Sequence, residues 1–380
     1  MTSSLQHLQD QINAARADKK TLRIRGGGSK DFYGNALGDH TVLDTRPHSG
    51  IASYEPSELV VTVRAGTPLA ELEATLLEKN QYLPFEPPSF TSDGTVGGMV
   101  ASGLSGAARA SVGSVRDHVL GIQIINGAGE ILNFGGTVMK NVAGYDVSRL
   151  MAGSMGTLAL VTEVSLKVLP IPVADATLMC QIGQAAALRL MNQWRAQPLP
   201  INSTAWLRDD TASPAADYLF VRLRGAKAAV DSALGLIQQG VQAAGGTATQ
   251  MDTTAAALDW RTANNHQMPF FTEAPAPDMC LWRLSIAATT PALDIPHPQY
   301  IEWQGAQRWL WARAGERAAL QAIASKAGGH ATLFKSSQAL NETDKVGAAF
   351  QPQSAVLAKI NQGLREQLDP HGIFNTGRLS

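Results

Sequence analysis

The chain has 380 residues, 44% hydrophobic and 17% charged, with a formal net charge of −1. That is enough apolar material for two domains, or for one large domain with an inserted lobe. The near-neutral charge argues against nucleic acid as the main partner. The absence of any run of about 18 apolar residues removes the expectation of a spanning helix.

The first twenty residues lack the apolar core of a signal peptide. They read instead as an amphipathic helix with Leu5, Leu8, Ile12 and Ala15 on one face. A strand at 21–24 enters a glycine-rich turn, Arg25-Gly26-Gly27-Gly28-Ser29. A second strand, 58–63, ends at Ala65-Gly66. Thr67-Pro68 then starts a helix carrying Leu69, Leu72, Leu76 and Leu77. A second glycine turn, Gly94-Thr95-Val96-Gly97-Gly98, follows. The strand at 119–125 turns at Asn126-Gly127 into 130–132. A third turn, Gly153-Ser154-Met155-Gly156-Thr157, runs into the apolar stretch 158–162, which reads as a buried strand.

Beyond Pro172 the pattern changes. Strands are expected at 218–223, 281–286, 300–303 and 308–312. Helices are expected at 226–244, with Val230, Ala233, Leu234, Ile237 and Val241 on one side, and at 316–327. Strands flanked by helices suggest an antiparallel, ferredoxin-like plate, and no internal repeat is visible. Trp303, Trp309 and Trp311 read as core or subunit contact. A last helix, 353–368, is stopped by Asp369-Pro370-His371-Gly372. The fold class is therefore α+β, with domains at 1–172 and 173–335 and a C-terminal segment, 336–380, returning to the first. Cys180 and Cys280 are too few for an iron–sulfur cluster or a cysteine-rich zinc site and read as buried, reduced thiols.

Three glycine turns, each set against a strand, point to a large phosphate-bearing cofactor. Gly26, Gly27, Gly28, Gly97 and Gly98 offer N–H groups to a pyrophosphate without side-chain clash. Gly97 in particular is expected to leave room for that group. Ser29, Thr95 and Ser102 add hydroxyl donors, and Arg25 offsets phosphate charge. A nicotinamide cofactor fits worse, because no strand–GxGxxG–helix unit with a later ribose-binding acid is present.

Taken together, RGGGS, Val63-Arg64-Ala65-Gly66, PPSFTSDGTVGGMVASGLSG, GSVRDHVLG, AGSMGTLALVTEV and the tail Asp369–Gly377 resemble the FAD-binding oxidoreductases of the vanillyl-alcohol oxidase type, with a PCMH-type FAD domain. The resemblance covers about the first half of the chain and the tail. It implies a two-lobed PCMH-type domain with an α+β cap. It also extends the cofactor-binding set to Lys30, Pro88, Gly94, Gly103, Gly113, Ser114, Asp117, Gly153, Gly156, Thr157, Val161 and Asn375. Within that superfamily, the length, KNVAGYD and the stretch Trp303–Trp311 resemble the FAD-binding subunits of multisubunit glycolate oxidases. This implies an FAD-dependent oxidoreductase acting on CH–OH groups and active in a complex with a second flavin-type subunit and an iron–sulfur subunit. The expected location is cytoplasmic, with any membrane association peripheral and through the complex.

Two departures from the family pattern matter. Many relatives carry a histidine in or beside the first turn that bonds covalently to flavin. Here the stretch is Gly28-Ser29-Lys30, so the FAD is expected to be noncovalent. Relatives that oxidise 2-hydroxy acids carry a histidine-rich metal motif in the second lobe. This chain has only the scattered His266, His297 and His330, and no metal is expected. Oxidation of a hydroxy acid needs a base for the hydroxyl proton and a cation for the carboxylate. His266, near Pro269-Phe270-Phe271, is the first candidate; His330 and Lys335 follow. Three functions stay open: an FAD subunit of a glycolate oxidase, a self-sufficient FAD dehydrogenase of another small acid or alcohol, and a structural subunit with vestigial flavin.

Overall fold

The structure, a computed structural model, describes residues 3–136, 146–211, 213–337 and 349–379. All of KNVAGYD except Asp146 lies outside these residues. The chain divides into two compact units. The first comprises Met1–Ser105, Gly113–Ile171 and Glu342–Ser380; the second comprises Gly106–Val112 and Pro172–Asn341.

The first unit starts with helix α1 (Ser3–Ala17), whose buried residues are Leu5, Leu8, Ile12 and Ala15. They pack on Leu22, Leu43, Ile125 and Leu160, so the 3.6-residue spacing of the apolar positions dictates the buried stripe. Strands β1 (Leu22–Arg25) and β2 (Thr41–Asp44) pair in parallel. Next come β3 (Ile51–Glu55), β4 (Val60–Arg64), α2 (Leu69–Leu77), β5 (Gln81–Tyr82) and α3 (Val96–Ser102). In α2, Leu69, Leu72 and Leu76 are buried, but Leu77 is 61% exposed. One residue further round the helix is a rotation of about 100°, which carries Leu77 off the stripe.

Helix α4 (Arg109–Val112) belongs to the second unit, although the boundary 1–172 places it in the first domain. Trp303 Nε1 donates to Gly106 O (2.9 Å), Ser111 Oγ donates to Ile201 O (2.7 Å), and the Arg109 guanidinium lies 4.4 Å from the Trp303 ring centroid. The first unit resumes with α5 (Val115–His118), β6 (Val119–Ile125), β7 (Ile131–Gly135), α6 (Val147–Met151), β8 (Leu160–Lys167) and β9 (Leu169–Pro170). Its main sheet has the order β3-β4-β8-β6-β7 and is antiparallel throughout. Leu72, Leu76, Met99, Val100 and Met151 cover it, packed on Val61, Val63, Ile122, Ile124 and Val164.

The second unit contains β10 (Ala174–Gln181), α7 (Gln184–Arg195), β11 (Ile201–Asp209), β12 (Ala216–Gly225), α8 (Lys227–Ala243), β13 (Thr247–Gln250), α9 (Thr253–Asn264) and α10 (Pro269–Thr272). It continues with β14 (Met279–Ser285), β15 (Gln299–Glu302), β16 (Gln307–Arg313), α11 (Arg317–Lys326) and β17 (His330–Lys335). All eight strands form one antiparallel sheet, ordered β13-β10-β12-β11-β15-β16-β14-β17. The expectation of a ferredoxin-like plate with no repeat is corrected here. The sheet is two such plates joined edge to edge, through Ala205↔Glu302, Trp206↔Ile301 and Leu207↔Tyr300.

The first plate is a complete β-α-β-β-α-β unit. In the second, residues 286–298 replace the first helix. The fully buried Arg308 ties that segment down, donating to Pro291 O (2.9 Å), Thr290 O (2.6 Å) and Gly305 O (3.3 Å). The repeat is invisible in sequence because a plate needs only alternation of apolar residues, not their identity. Both cysteines are buried and form no disulfide, and burial pushes the Cys180 thiol up to about 12.

Helix α12 (Ala355–Leu368) has no buried residue. Asp369 ends it and is itself buried; its Oδ1 accepts from Ile373 N (3.1 Å) and its Oδ2 from Phe374 N (2.9 Å). This turn aims the tail back at β1, where Leu22 N donates to Ile373 O and Asn375 N to Leu22 O. Phe374 is fully buried in the α1–β1 cluster. Among the described residues, no helix is long and apolar enough to cross a membrane.

Candidate cofactor site

Two adjoining clefts in the first unit share Ile24, Gly26, Gly98, Ala101, Met155 and Asn375. The first adds Arg25, Gly27, Gly28, Ser29, Lys30, Thr95 and Ser102. The second adds Gly97, Gly156 and Val161. The three glycine turns and the tail, far apart in sequence, therefore meet. Pro88, Gly94, Gly103, Gly113, Ser114, Asp117, Gly153 and Thr157 line neither cleft.

Those residues have local structural partners. Gly94 O accepts from Leu69 N, and Gly153 N donates to Val100 O. A Cβ on Gly103 would meet the Gly153 main chain. The Asp117 carboxylate accepts from both the amide and the hydroxyl of Ser114 (2.8 Å each), closing the first turn of α5, and Gly113 lies against the same side chain. Thr157 Oγ1 donates to Ser154 O (2.8 Å). Pro88 is buried.

The glycines have a different physical reason from the one the sequence suggests. A Cβ on Gly97 would lie 2.7 Å from Ala65 Cβ and 3.0 Å from Ala65 O. A Cβ on Gly26 would overlap the Thr95 side chain, and one on Gly27 would overlap the Asp93 carbonyl. These glycines let the first two turns and the end of β4 pack against one another; the space they leave is filled by protein. Gly98 is the exception, since its Cβ would meet only its own capping hydroxyl, Thr95 Oγ1, at 3.2 Å. Gly28 (φ +75°) has the left-handed backbone that glycine tolerates best, and the Arg25 guanidinium fills its open side.

The hydroxyls are also partly committed. Thr95 Oγ1 accepts from Gly98 N (3.2 Å), capping α3. Ser102 Oγ donates to Met99 O (3.0 Å). Ser29 Oγ accepts from Lys30 Nζ (3.3 Å).

Charge in the first cleft is unbalanced. Among the described residues, Arg23, Arg25, Lys30 and Arg378 line it against one carboxylate, Asp31. Asp31 Oδ2 receives both Arg23 Nη2 and Arg25 Nε at 2.9 Å. Burial pushes the Lys30 ammonium down to about 8. An anion in this cleft would meet surplus positive charge and glycine main chain, the donor set that a pyrophosphate requires. The second cleft is lined by small and apolar groups, among them Ala65, Ala101, Ala159 and Val161, which suit a flat ring system. Arg23, Asp31 and Arg378 are absent from the sequence-derived set. The period-two alternation Arg23-Ile24-Arg25, which puts both arginines on one side of β1, is the signal that could have found Arg23.

Asn375 connects the two clefts. Its Oδ1 accepts from Ile24 N (2.8 Å) and its Nδ2 donates to Met155 O (2.6 Å). Asn375 (φ +39°) and Met155 (φ +50°) both have left-handed backbone, a strained state for side-chain-bearing residues, and each is held there by hydrogen bonds. Gly156 must be glycine on two counts: its φ is +71°, and a Cβ would come within 2.7 Å of Asn375 Nδ2.

The candidate catalytic residues lie in the second unit. His266 is half-buried, stacked on Phe271 at 4.0 Å and edge-on to Trp309 at 4.7 Å. Burial first, then Arg283 and Lys335, push its imidazole down to about 3. His330 and Lys335 are exposed at opposite ends of β17. Trp303, Trp309 and Trp311 are all buried. Glu302, unnoticed in the sequence, is buried beside Tyr300, where burial pushes its carboxyl up to about 7. Its Oε2 accepts from Gln307 Nε2 (2.8 Å) and Trp309 Nε1 (3.2 Å).

The clefts suit a large phosphate-bearing cofactor with a flat ring system. Residues 2–148 match the family described as an FAD binding domain. The fold is similar to that of alkyldihydroxyacetonephosphate synthase, with a TM-score of 0.69 at 15% identity over 97% of this chain and 75% of that one. The chain is 33% identical over 129 residues to glycolate oxidase subunit GlcD of Bacillus subtilis (strain 168), covering 34% of this chain and 27% of that protein. It is 44% identical over 374 residues to glycolate oxidase subunit GlcE of Escherichia coli (strain K12), covering 98% of this chain and 97% of that protein. The chain belongs to the GlcE family of FAD-dependent oxidoreductases, and its cofactor is FAD.

Proposed function

We propose that this chain is the GlcE-type, FAD-binding subunit of a glycolate oxidase that converts glycolate to glyoxylate. The observation that carries the reading is the match to GlcE along nearly the whole of both chains, joined to a cleft whose donor set suits a pyrophosphate. FAD, when bound, supplies a two-electron hydride acceptor. The glycine turns, Arg25 and Lys30 hold its phosphates, and the small-residue cleft takes its ring system. In the second unit, Arg283 and Lys335 offer positive charge to a substrate carboxylate. His266, kept neutral beside them, accepts the hydroxyl proton as negative charge develops nearby; His330 is the second candidate for that role.

The partners are a GlcD-like flavin subunit and a GlcF-like iron–sulfur subunit, which takes the electrons onward. This chain has only Cys180 and Cys280, too few to hold such clusters itself. Any membrane association is peripheral and passes through the complex. The test is glycolate turnover per flavin for the chain expressed alone and co-expressed with both partners. Activity that requires the partners supports the reading. Full activity from the isolated chain replaces it with a self-sufficient dehydrogenase. A flavin-free chain that still supports activity makes it a structural subunit.

A further inference from the structure

Arg378, in the tail beyond α12, is only 7% exposed. Its guanidinium donates to main-chain carbonyls of the segment that follows the first glycine turn. Nη1 donates to Asn35 O (2.8 Å), and Nη2 donates to Asp31 O (2.9 Å) and Lys30 O (3.2 Å). The exchange is reciprocal. Asn35 N donates to Arg378 O (3.1 Å), and Asn35 Nδ2 donates to Gly377 O (3.0 Å). Residues 30–35 and 377–378 thus form a closed ring of hydrogen bonds beside the first cleft, which Arg378 also lines.

A planar guanidinium reaching several carbonyls fixes their direction in a way that a single ammonium cannot. Drawing the carbonyls of Lys30 and Asp31 onto Arg378 sets the path of the turn and keeps their partial negative charge away from an incoming anion. Hydrogen bonds from a charged donor are roughly twice as strong as neutral ones. The same tail holds the other side of the site through Asn375, so the last residues of the chain close the cleft on two sides.

We propose that Arg378 is a positioning residue of the FAD site, holding the Gly26–Asp31 turn in its phosphate-binding shape. This rests on the first cleft being where the FAD phosphates bind.

The test is titration of the apo-protein with FAD, well below its melting temperature, for wild type, Arg378→Ala, Arg378→Lys and Gly98→Ala. Arg378→Ala is expected to weaken FAD binding at least about twentyfold. Arg378→Lys keeps the charge but loses the fork, so it recovers part of the affinity and ends about fivefold weaker than wild type. Such graded rescue, at apo melting temperatures that do not follow the same order, separates positioning from a purely structural role. If Arg378→Ala does not fold, Arg378→Lys decides. Wild-type affinity in the folded Arg378 variants overturns the proposal while leaving the cleft assignment intact, provided Gly98→Ala is weakened. Wild-type affinity in Gly98→Ala as well removes the FAD phosphates from this cleft and overturns both.

Discussion

Gly97 and Gly98 are neighbours in the first turn of α3, yet they should fail in opposite ways when changed to alanine. At Gly97 the new Cβ lies 2.7 Å from Ala65 Cβ, where carbon–carbon contacts need about 3.5–4.0 Å. The helix and the end of β4 must part by about 1 Å, and Gly97 N also donates to Ala65 O at 2.8 Å. Such overpacking costs about 1–3 kcal/mol; a contact this short takes the upper part of that range, and about 1 kcal/mol returned by helix propensity leaves a net cost of about 1–2 kcal/mol. At about 2–4 °C per kcal/mol for a unit of this size, the apo-protein should melt about 2–8 °C lower. At Gly98 the Cβ meets only Thr95 Oγ1 at 3.2 Å, and otherwise projects into both clefts. Gly98→Ala should leave apo melting unchanged or slightly raised and weaken FAD about tenfold or more, a loss of about 1.4 kcal/mol. Apo-protein calorimetry and FAD titration measure the two quantities separately. An unchanged melting temperature in Gly97→Ala, with FAD lost, would refute the argument that this glycine serves protein packing.

Acid precipitation of the holoprotein should release the yellow chromophore into the supernatant, because Ser29 and Lys30 occupy the stretch where a covalent ligand would stand; flavin retained in the pellet contradicts this. Glu302 has a folded pKa raised from 4.5 to about 7, so the native state holds a proton that the unfolded chain has released between these values. Stability therefore falls as pH rises from 4.5 to 7, and Glu302→Gln should stabilise the protein by about 1–3 kcal/mol at pH 8 and hardly at all at pH 4.5, read as melting temperature at both. For His266, depressed from 6.5 to about 3, the unfolded state binds the extra proton, so its contribution is complete above pH 6.5 and is lost as pH falls towards 3. His266→Phe should flatten the fall of melting temperature across that window; an unaltered slope means the imidazole is not held neutral.

Much of this protein was legible because its signals are local. The α1 stripe, the leucines of α2 and the alternation in β4 follow from periods of 3.6 and 2. The glycine turns identified the cofactor class because each marks a place where backbone approaches something closely. The sequence could not say what approaches. Tertiary structure shows that Gly26, Gly27 and Gly97 meet the neighbouring turn or strand, and that Gly98 opens on the clefts. Arg378 escaped because its importance arises from contacts across the fold; it lies more than three hundred residues from the carbonyls it binds. The doubled ferredoxin-like plate escaped for a related reason. Strand pairing is a long-range relation, and two halves with the same hydrogen-bond order need share no residues, so only the paired strands reveal the repeat.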